Sequence, residues 1–140
     1  MTIKFGTDGW RGIIAQDFTF ENVRYCAQGV SRYLLERGLA QRGLVVGYDT
    51  RFASEDFALA VAEVAAGNGI TTYLCQKAAP TPVISYNIVH LQAGGAAIIT
   101  ASHNPARWNG FKYKPEYAGS ASPEIVTALE EHIAAVSADR

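Results

Sequence analysis

The feature that most constrains the fold is a regular alternation of short apolar segments with longer amphipathic ones. Leu44–Tyr48, Ile70–Cys75 and Ala96–Ile99 are short, largely apolar runs, as expected of strands that are buried on both faces of a sheet. Each connection between these runs is long enough to hold a helix, and strands joined by such crossovers run parallel. The alternation predicts an α/β fold: a three-layer α/β/α sandwich with a mixed, mostly parallel sheet, in one domain over residues 1–140.

The spacing of apolar residues and the residues beside it predict four helices. The first has apolar residues at helical spacing from Val23 to Leu34 and ends before Gly38, and the second continues to Gly67. The third is expected to carry proline at its first position. The predicted N-terminal residues of the four helices are, in chain order, Thr19, Ser54, Thr81-Pro82 and Ser122.

Composition and charge exclude several functional classes. The 140 residues are 49% hydrophobic, enough for one sizeable core, and the formal net charge is −1, so neither a nucleic-acid nor a membrane partner is expected. No apolar run approaches the roughly 20 residues that span a bilayer, and the N-terminus shows no leader pattern. Cys26 and Cys75 form no C-x-x-C pair, so we expect buried thiols in a reducing compartment, the cytoplasm.

Two polar loops directly follow predicted strands. Asp49-Thr50-Arg51 follows the first apolar run, and Thr100–Pro105 follows the third. Because ligands of open α/β sheets bind at the carboxyl ends of strands, we expect both loops at one rim of the sheet. Asp49 and Arg51 are expected to form a structural pair there.

Ser102 is the candidate for nucleophilic chemistry. A serine that carries a phosphoryl group needs an exposed hydroxyl, donors for the phosphate oxygens and a group that moves a proton. His103 and Asn104 follow it directly, and Pro105 stiffens the exit of the loop. The same residue types are common in ordinary turns, so local chemistry alone leaves a simple turn as the alternative.

Arg11 and Lys112 are the candidate cations for a phosphate. Arg11 lies between two glycines that allow close backbone approach, and a guanidinium can make two parallel hydrogen bonds to a phosphate. An ion pair with Asp8 or Asp49 is the alternative for Arg11. Lys112 lies in the alternating segment 111–114, which predicts a strand with the two aromatic residues on one face and the two lysines on the other. Its alternative is a solvated lysine on an exposed strand.

Together these segments resemble the N-terminal domain of the α-D-phosphohexomutases, the phosphoglucomutase and phosphomannomutase superfamily. The resemblance covers nearly the whole chain, and the serine loop followed by Asn-Gly-x-Lys is its most specific part. The segments that carry it are Phe5–Gly12, Val45–Arg51, Pro80-Thr81-Pro82 and Thr100–Lys112.

The resemblance implies a set of catalytic residues. Ser102 matches the phosphoserine that donates its phosphoryl group to a hexose phosphate and recovers one from the bisphosphate intermediate. His103 matches the imidazole beside it, Lys112 the lysine placed by the reacting oxygen, and Arg11 the guanidinium that helps orientation or proton transfer. The residues expected to bind substrate or phosphate are Thr100, Asn104 and Asn109.

The resemblance also implies cofactors and partners. Mg²⁺ would be held by a phosphate oxygen on Ser102 and by aspartates of a D-x-D-x-D loop in another domain, since this chain has no D-x-D. Glucose 1,6-bisphosphate would act as activator and phosphoryl donor. Three further domains of such enzymes are expected to be absent here, so the chain should not turn over hexose phosphate alone and could self-associate through an exposed interdomain surface. Which hexose phosphate is used is left open.

Two other classes of function compete with a mutase domain. One is a non-catalytic α/β module that binds a phosphosugar or a partner domain without transferring phosphate. A serine hydrolase is the other, but it needs a base, an orienting carboxylate and a G-x-S-x-G turn, and that turn is missing from the sequence.

Overall fold

The computed structural model describes residues 3–6 and 8–139, so Thr7 of the N-terminal motif lies outside the described part. Five strands and four α-helices form in these residues, with a short 3₁₀ turn at Ala40–Arg42. The strands are β1 (Trp10–Ile13), β2 (Leu44–Tyr48), β3 (Thr72–Leu74), β4 (Gly95–Ile99) and β5 (Trp108–Pro115). The helices are α1 (Phe20–Glu36), α2 (Ser54–Gly67), α3 (Thr81–His90) and α4 (Pro123–Ala138).

The strands form one mixed sheet in the order β1-β5-β4-β2-β3. β2 is parallel to β3 and β4, whereas β5 is antiparallel to both of its neighbours. Four strands therefore point the same way and only β5 is reversed, which confirms the predicted mixed, mostly parallel sheet. The sequence interpretation missed β1, which it treated only as part of a motif, because Trp10-Arg11-Gly12-Ile13 becomes a strand by pairing with distant β5.

Helices cover the two faces of the sheet unequally. Helices α1, α2 and α4 pack on one face, where the large core contains residues such as Phe18, Leu34 and Phe111. Of the helices in the described residues, α3 alone packs on the other face, where Ile84 and Ile88 contact a smaller cluster of strand residues. Three layers result, as the sequence predicted.

The direction of alternate side chains in β5 decides where its lysines lie. Phe111 and Tyr113 are buried in the large core, as predicted, and the two lysines are half-buried on the opposite face. Lys112 pairs with Ile98, which belongs to the smaller cluster under α3. Because directly opposed residues in an antiparallel pair share a face, Lys112 lies on the α3 side of the sheet.

Two of the predicted helix caps are confirmed and two are wrong. Thr19 and Ser122 each accept a hydrogen bond from a backbone N–H three residues later, as N-caps do. Ser54 is instead the first residue of α2, after Ala53 at φ +62°, and its hydroxyl bonds Asp49. Pro82 is the second rather than the first residue of α3, since Pro80 occupies the cap.

The third strand and the two cysteines differ in part from the sequence expectations. The predicted strand Ile70–Cys75 is shortened to Thr72–Leu74. Both cysteines are free thiols; Cys26 is fully buried, which raises its pKa, whereas Cys75 is only half-buried. In the described ranges no helix combines the length and apolar character needed to cross a membrane.

Close packing of α1 against α4 gives a stability prediction. A Cβ at Gly29 would lie 2.4 Å from Ile133 Cγ1 and 3.1 Å from the Ile133 backbone nitrogen. Overpacking costs about 1–3 kcal/mol, whereas alanine gains about 1 kcal/mol of helix propensity over glycine. We expect Gly29→Ala to lower the free energy of unfolding in urea by about 1 kcal/mol.

Gly67→Ala is the matched control. Gly67 ends α2, and a Cβ there would meet nothing within 4 Å. This substitution should leave the free energy of unfolding unchanged or raise it by up to about 1 kcal/mol. If both alanines were equally tolerated, close contact between α1 and α4 at Gly29 would be ruled out.

Candidate functional site

A cleft of about 500 Å³ opens at the carboxyl ends of β2 and β4. The loop after β2, the loop after β4 and the start of α3 form its walls, so the two polar loops do share one rim of the sheet. The polar residues that line the cleft include Asp49, Arg51, Thr81, Thr100, Ser102 and Asn104.

Ser102 lies exposed in the loop between β4 and β5, with φ +53°. A left-handed conformation at a residue other than glycine costs about 1–3 kcal/mol and persists only where its surroundings impose it. The Ser102 N–H donates to Thr100 Oγ1 at 3.1 Å, and the Asn104 N–H donates to the Ala101 carbonyl at 3.0 Å. The Ser102 hydroxyl makes no hydrogen bond with a described residue, so it is free to react.

Arg11 reaches the serine loop from the other side of β5. Its Nη1 donates to Asn104 Oδ1 at 2.6 Å, and its Nε is buried without a hydrogen-bond partner in the described residues. Arg11 forms no ion pair with Asp8 or Asp49 among those residues, and Asp49 pairs with Arg51 instead. Arg11 therefore lies beside the loop with donor capacity that the chain leaves unused.

Gly110 gives Arg11 the room to cross β5. The two residues are directly opposed in the β1–β5 pair. A Cβ at Gly110 would lie 2.5 Å from the Thr100 carbonyl oxygen and 3.0 Å from Arg11 Cγ. A glycine at this position is what allows the arginine to lie over the strand and contact the serine loop.

Lys112 and His103 lie at the margin of this arrangement. Lys112 is half-buried on the cleft side of the sheet and pairs with Ile98, which lines the cleft. Burial and the charge of Lys112 lower the pKa of Lys114. His103 is exposed beside Ser102 and makes no hydrogen bond or ion pair with the residues described. The structure thus brings Thr100, Ser102, Asn104 and Arg11 into contact, with Lys112 and His103 adjacent.

The expectation that Asn109 binds substrate or phosphate is wrong. Its side chain is fully buried, and both halves of its amide are used within the protein. Nδ2 donates to Ser54 Oγ at 2.9 Å, and Oδ1 accepts from the Gly110 N–H at 2.9 Å. Asn109 therefore joins β5 to the start of α2, and its amide is fully buried and not exposed to a ligand.

Asn109 belongs to a buried polar network that the sequence interpretation largely missed. Ser54 Oγ donates to Asp49 Oδ1 at 2.8 Å, and Arg51 Nε lies 3.4 Å from Asp49 Oδ2. The predicted structural pair of Asp49 and Arg51 is confirmed. Arg51 also donates to four backbone carbonyls of the segment 102–108. The sequence signal for this network was only the position of Asp49-Thr50-Arg51 directly after a strand.

The residues present do not form a metal site by themselves. No group of three or more imidazole, thiol or carboxylate side chains is placed to hold an ion in the described part of the chain. Asp49 is the carboxylate that lines the cleft, and Arg51 and Ser54 already occupy both of its oxygens. Among the described residues, the carboxylate that lines the cleft is therefore already paired within the protein and is not free to act as an oxygen ligand for Mg²⁺.

The burial of Asn109 gives a second prediction. Asn109→Ala removes the acceptor of the buried Gly110 N–H and one of the two hydrogen bonds of the Ser54 hydroxyl, which keeps its bond to Asp49. It should therefore lower the free energy of unfolding by about 1–3 kcal/mol. Asn104→Ala, which removes a half-exposed amide from the same cleft, should cost less than about 1 kcal/mol. Urea unfolding followed by circular dichroism measures both; equal costs would contradict the buried network.

Known proteins resemble this chain in both sequence and structure. The model of the family described as phosphoglucomutase/phosphomannomutase, alpha/beta/alpha domain I, matches residues 2–140. A putative phosphomannomutase from Thermus thermophilus, whose crystal structure is known, superimposes with a TM-score of 0.89 at 41% identity. That match covers 95% of this chain and 30% of the Thermus chain.

Curated relatives agree with the structural match. A phosphoglucomutase from Staphylococcus saprophyticus is 37% identical over 134 residues, 94% of this chain and 24% of the relative. A probable phosphomannomutase from Haemophilus influenzae is 38% identical over 117 residues, 81% of this chain and 23% of the relative. The chain thus spans about a quarter of the length of these relatives. It belongs to the phosphoglucomutase/phosphomannomutase family, in which it corresponds to the α/β/α domain I.

Proposed function

We propose that this chain supplies the phosphoserine of a phosphohexomutase, an enzyme that interconverts hexose 1-phosphate and hexose 6-phosphate. The observation that carries the proposal is the position of Ser102. Its unbonded hydroxyl lies on a constrained loop at the rim of a cleft, and Arg11 contacts the same loop with unused donors. Family membership supports the same assignment.

The proposed reaction moves one phosphoryl group in each direction. The bond from phosphorus to Ser102 Oγ breaks, and a bond from phosphorus to a hydroxyl oxygen of the hexose phosphate forms while that hydroxyl loses its proton. The hexose bisphosphate then turns around. Its other phosphoryl group returns to Ser102 Oγ, and the released sugar oxygen takes up a proton. The product is the isomeric monophosphate, and the enzyme is phosphorylated again.

Charge and position are what this chain contributes to that transfer. A loose phosphoryl transition state requires neutralisation of its oxygens and alignment of the reacting groups. Arg11 and Lys112 lie on the cleft side of the sheet and would supply the positive charge. His103, exposed next to Ser102, is the proposed imidazole that moves a proton.

Thr100 and Asn104 act through the loop in this proposal. The Thr100 hydroxyl accepts a hydrogen bond from the Ser102 N–H and so fixes the backbone that carries the Ser102 hydroxyl. Asn104 Oδ1 accepts from Arg11, which leaves the amide nitrogen of Asn104 as a donor to a phosphate oxygen. Thr100 and Asn104 thus support Ser102 and Arg11.

The remaining parts of the reaction are proposed to come from outside these residues. Mg²⁺ would neutralise phosphate charge, with a phosphate oxygen on Ser102 as this chain's one ligand. Glucose 1,6-bisphosphate would phosphorylate Ser102 at the start. The substrate is a hexose phosphate; relatives named for glucose and for mannose are equally similar, at 37% and 38% identity. We place the activity in the cytoplasm.

The proposed partners are the other domains of a complete mutase, without which the isolated domain is expected to be inactive. Val83, Tyr86 and Val89 on α3 are 48%, 66% and 59% exposed. Apolar side chains grouped on one helix mark a surface for contact with another domain. In the isolated chain the same surface would promote self-association.

Substitution of Ser102 tests the proposal. In a hybrid enzyme, residues 3–139 of this chain replace the equivalent segment of the Thermus thermophilus relative. We expect the hybrid to gain the mass of one phosphoryl group from glucose 1,6-bisphosphate and to isomerise glucose 1-phosphate. Ser102→Ala should abolish phosphorylation and lower kcat by about 10³-fold or more, because it removes the covalent carrier.

Ser120→Ala is the control, because it removes a hydroxyl from an exposed loop outside the cleft. It should leave phosphorylation and kcat unchanged. A folded hybrid that binds hexose phosphate but takes up no phosphoryl group would favour the non-catalytic module instead.

A further inference from the structure

We propose that Arg51 is a positioning residue that holds the serine loop in the conformation presenting Ser102, and that it does not itself bind phosphate. This inference rests on the proposed function of Ser102 as phosphoryl carrier. Arg51 lies in the loop after β2, lines the same cleft as Ser102 and is a cation, so a role as phosphate ligand would be the obvious alternative.

The hydrogen bonds of Arg51 converge on one short segment. Nη1 donates to the carbonyls of Pro105 at 2.8 Å and Trp108 at 3.0 Å. Nη2 donates to the carbonyls of Ser102 at 2.8 Å and Asn104 at 2.6 Å. One planar guanidinium thus joins four carbonyls of the segment 102–108, which few other side chains have the geometry to do.

Burial and the carboxylate of Asp49 hold the remaining part of the Arg51 guanidinium in place. The Arg51 side chain is only 13% exposed, and Nε lies 3.4 Å from Asp49 Oδ2. Asp49 is itself held, because its Oδ1 accepts from Ser54 Oγ at 2.8 Å and from the Arg51 N–H at 3.0 Å. All four terminal N–H groups point to carbonyls, so none remains for a phosphate oxygen. Arg11 differs, since its buried Nε has no partner in the described chain.

Turning these carbonyls toward Arg51 turns the amides of the same peptides away from it. In a planar trans peptide the C=O and the following N–H point in opposite directions, and no described peptide bond is cis. The N–H groups of His103 and Ala106 follow two of the bonded carbonyls and make no hydrogen bond to a described backbone carbonyl. An unbonded backbone N–H next to a phosphorylated serine is a donor for the phosphate oxygens. Arg51 therefore exposes backbone donors for a phosphate on Ser102.

The substitution Arg51→Lys separates charge from geometry. Lysine keeps the positive charge but offers three N–H groups on one atom, which cannot bridge four carbonyls of the loop. We expect backbone hydrogen exchange at Ser102, Asn104 and Trp108, whose amides are bonded within the loop, to become at least about tenfold faster. Exchange in β4 should stay unchanged. NMR of the ¹⁵N-labelled chain measures both.

Chemical rescue distinguishes local positioning from a general loss of structure. In Arg51→Ala, millimolar free guanidinium can occupy the vacated site and should restore slow exchange at the same three amides. Arg107→Ala is the control, since it removes an exposed side chain of the same loop that has no hydrogen bond or ion pair among the described residues. It should not alter exchange, and guanidinium should not affect it.

Activity of the hybrid enzyme gives the functional half of the test. Arg51→Lys should lower kcat by about 10²-fold with KM changed less than about threefold, because misplacing the nucleophile affects the transfer more than substrate binding. Unchanged loop exchange in Arg51→Lys, or altered exchange with normal kcat, would overturn the inference. If the unsubstituted hybrid failed to phosphorylate Ser102, the proposed function would fall, while the exchange and rescue measurements would still decide whether Arg51 holds the loop.

Discussion

The reversed direction of β5 is the constraint on which the site depends. β5 lies between β4 and β1 and pairs antiparallel with both. Because β4 and β5 are neighbours in the sheet as well as in sequence, the chain between them must turn at the rim, and Ser102 lies in that turn. Because β1 pairs with the far side of β5, Arg11 lies beside Asn104, from which 93 positions separate it along the chain.

Two arginines of one cleft differ in what their hydrogen bonds leave free. Arg51 is saturated by four carbonyls and one carboxylate, whereas Arg11 makes one bond to Asn104 and keeps a buried Nε unpaired among the described residues. Residue type alone would give both the same role. The count of satisfied donors shows that Arg51 is fully used within the loop, whereas Arg11 keeps unbonded N–H groups; a donor already bonded inside the protein is not available outside it.

The helices and the sheet were predictable because they follow from local spacing. Thr19 and Ser122 cap their helices using N–H groups three residues away, and alternate residues of β5 face the core as their polarity requires. Ser54 and Asn109 were misinterpreted because their partners are distant in sequence rather than local. Their polar side chains bond to each other across 55 positions, so a cap and a ligand were inferred where the structure has a buried link. The strand β1 was missed because its partner β5 lies still further away along the chain.

The sequence by itself determined the alternation of strands and helices, the core-facing residues and the presence of a serine loop at the end of a buried strand. These features depend on the period of apolar residues and on turn chemistry, which act over a few positions. Only the tertiary structure decided which polar residues are free. The side chains of Arg51 and Asn109 are hydrogen-bonded to carbonyls, amides and hydroxyls that are distant in sequence. Those of Ser102 and Arg11 keep polar groups without a hydrogen bond among the described residues. The difference arises because hydrogen-bond satisfaction depends on neighbours in space rather than in sequence.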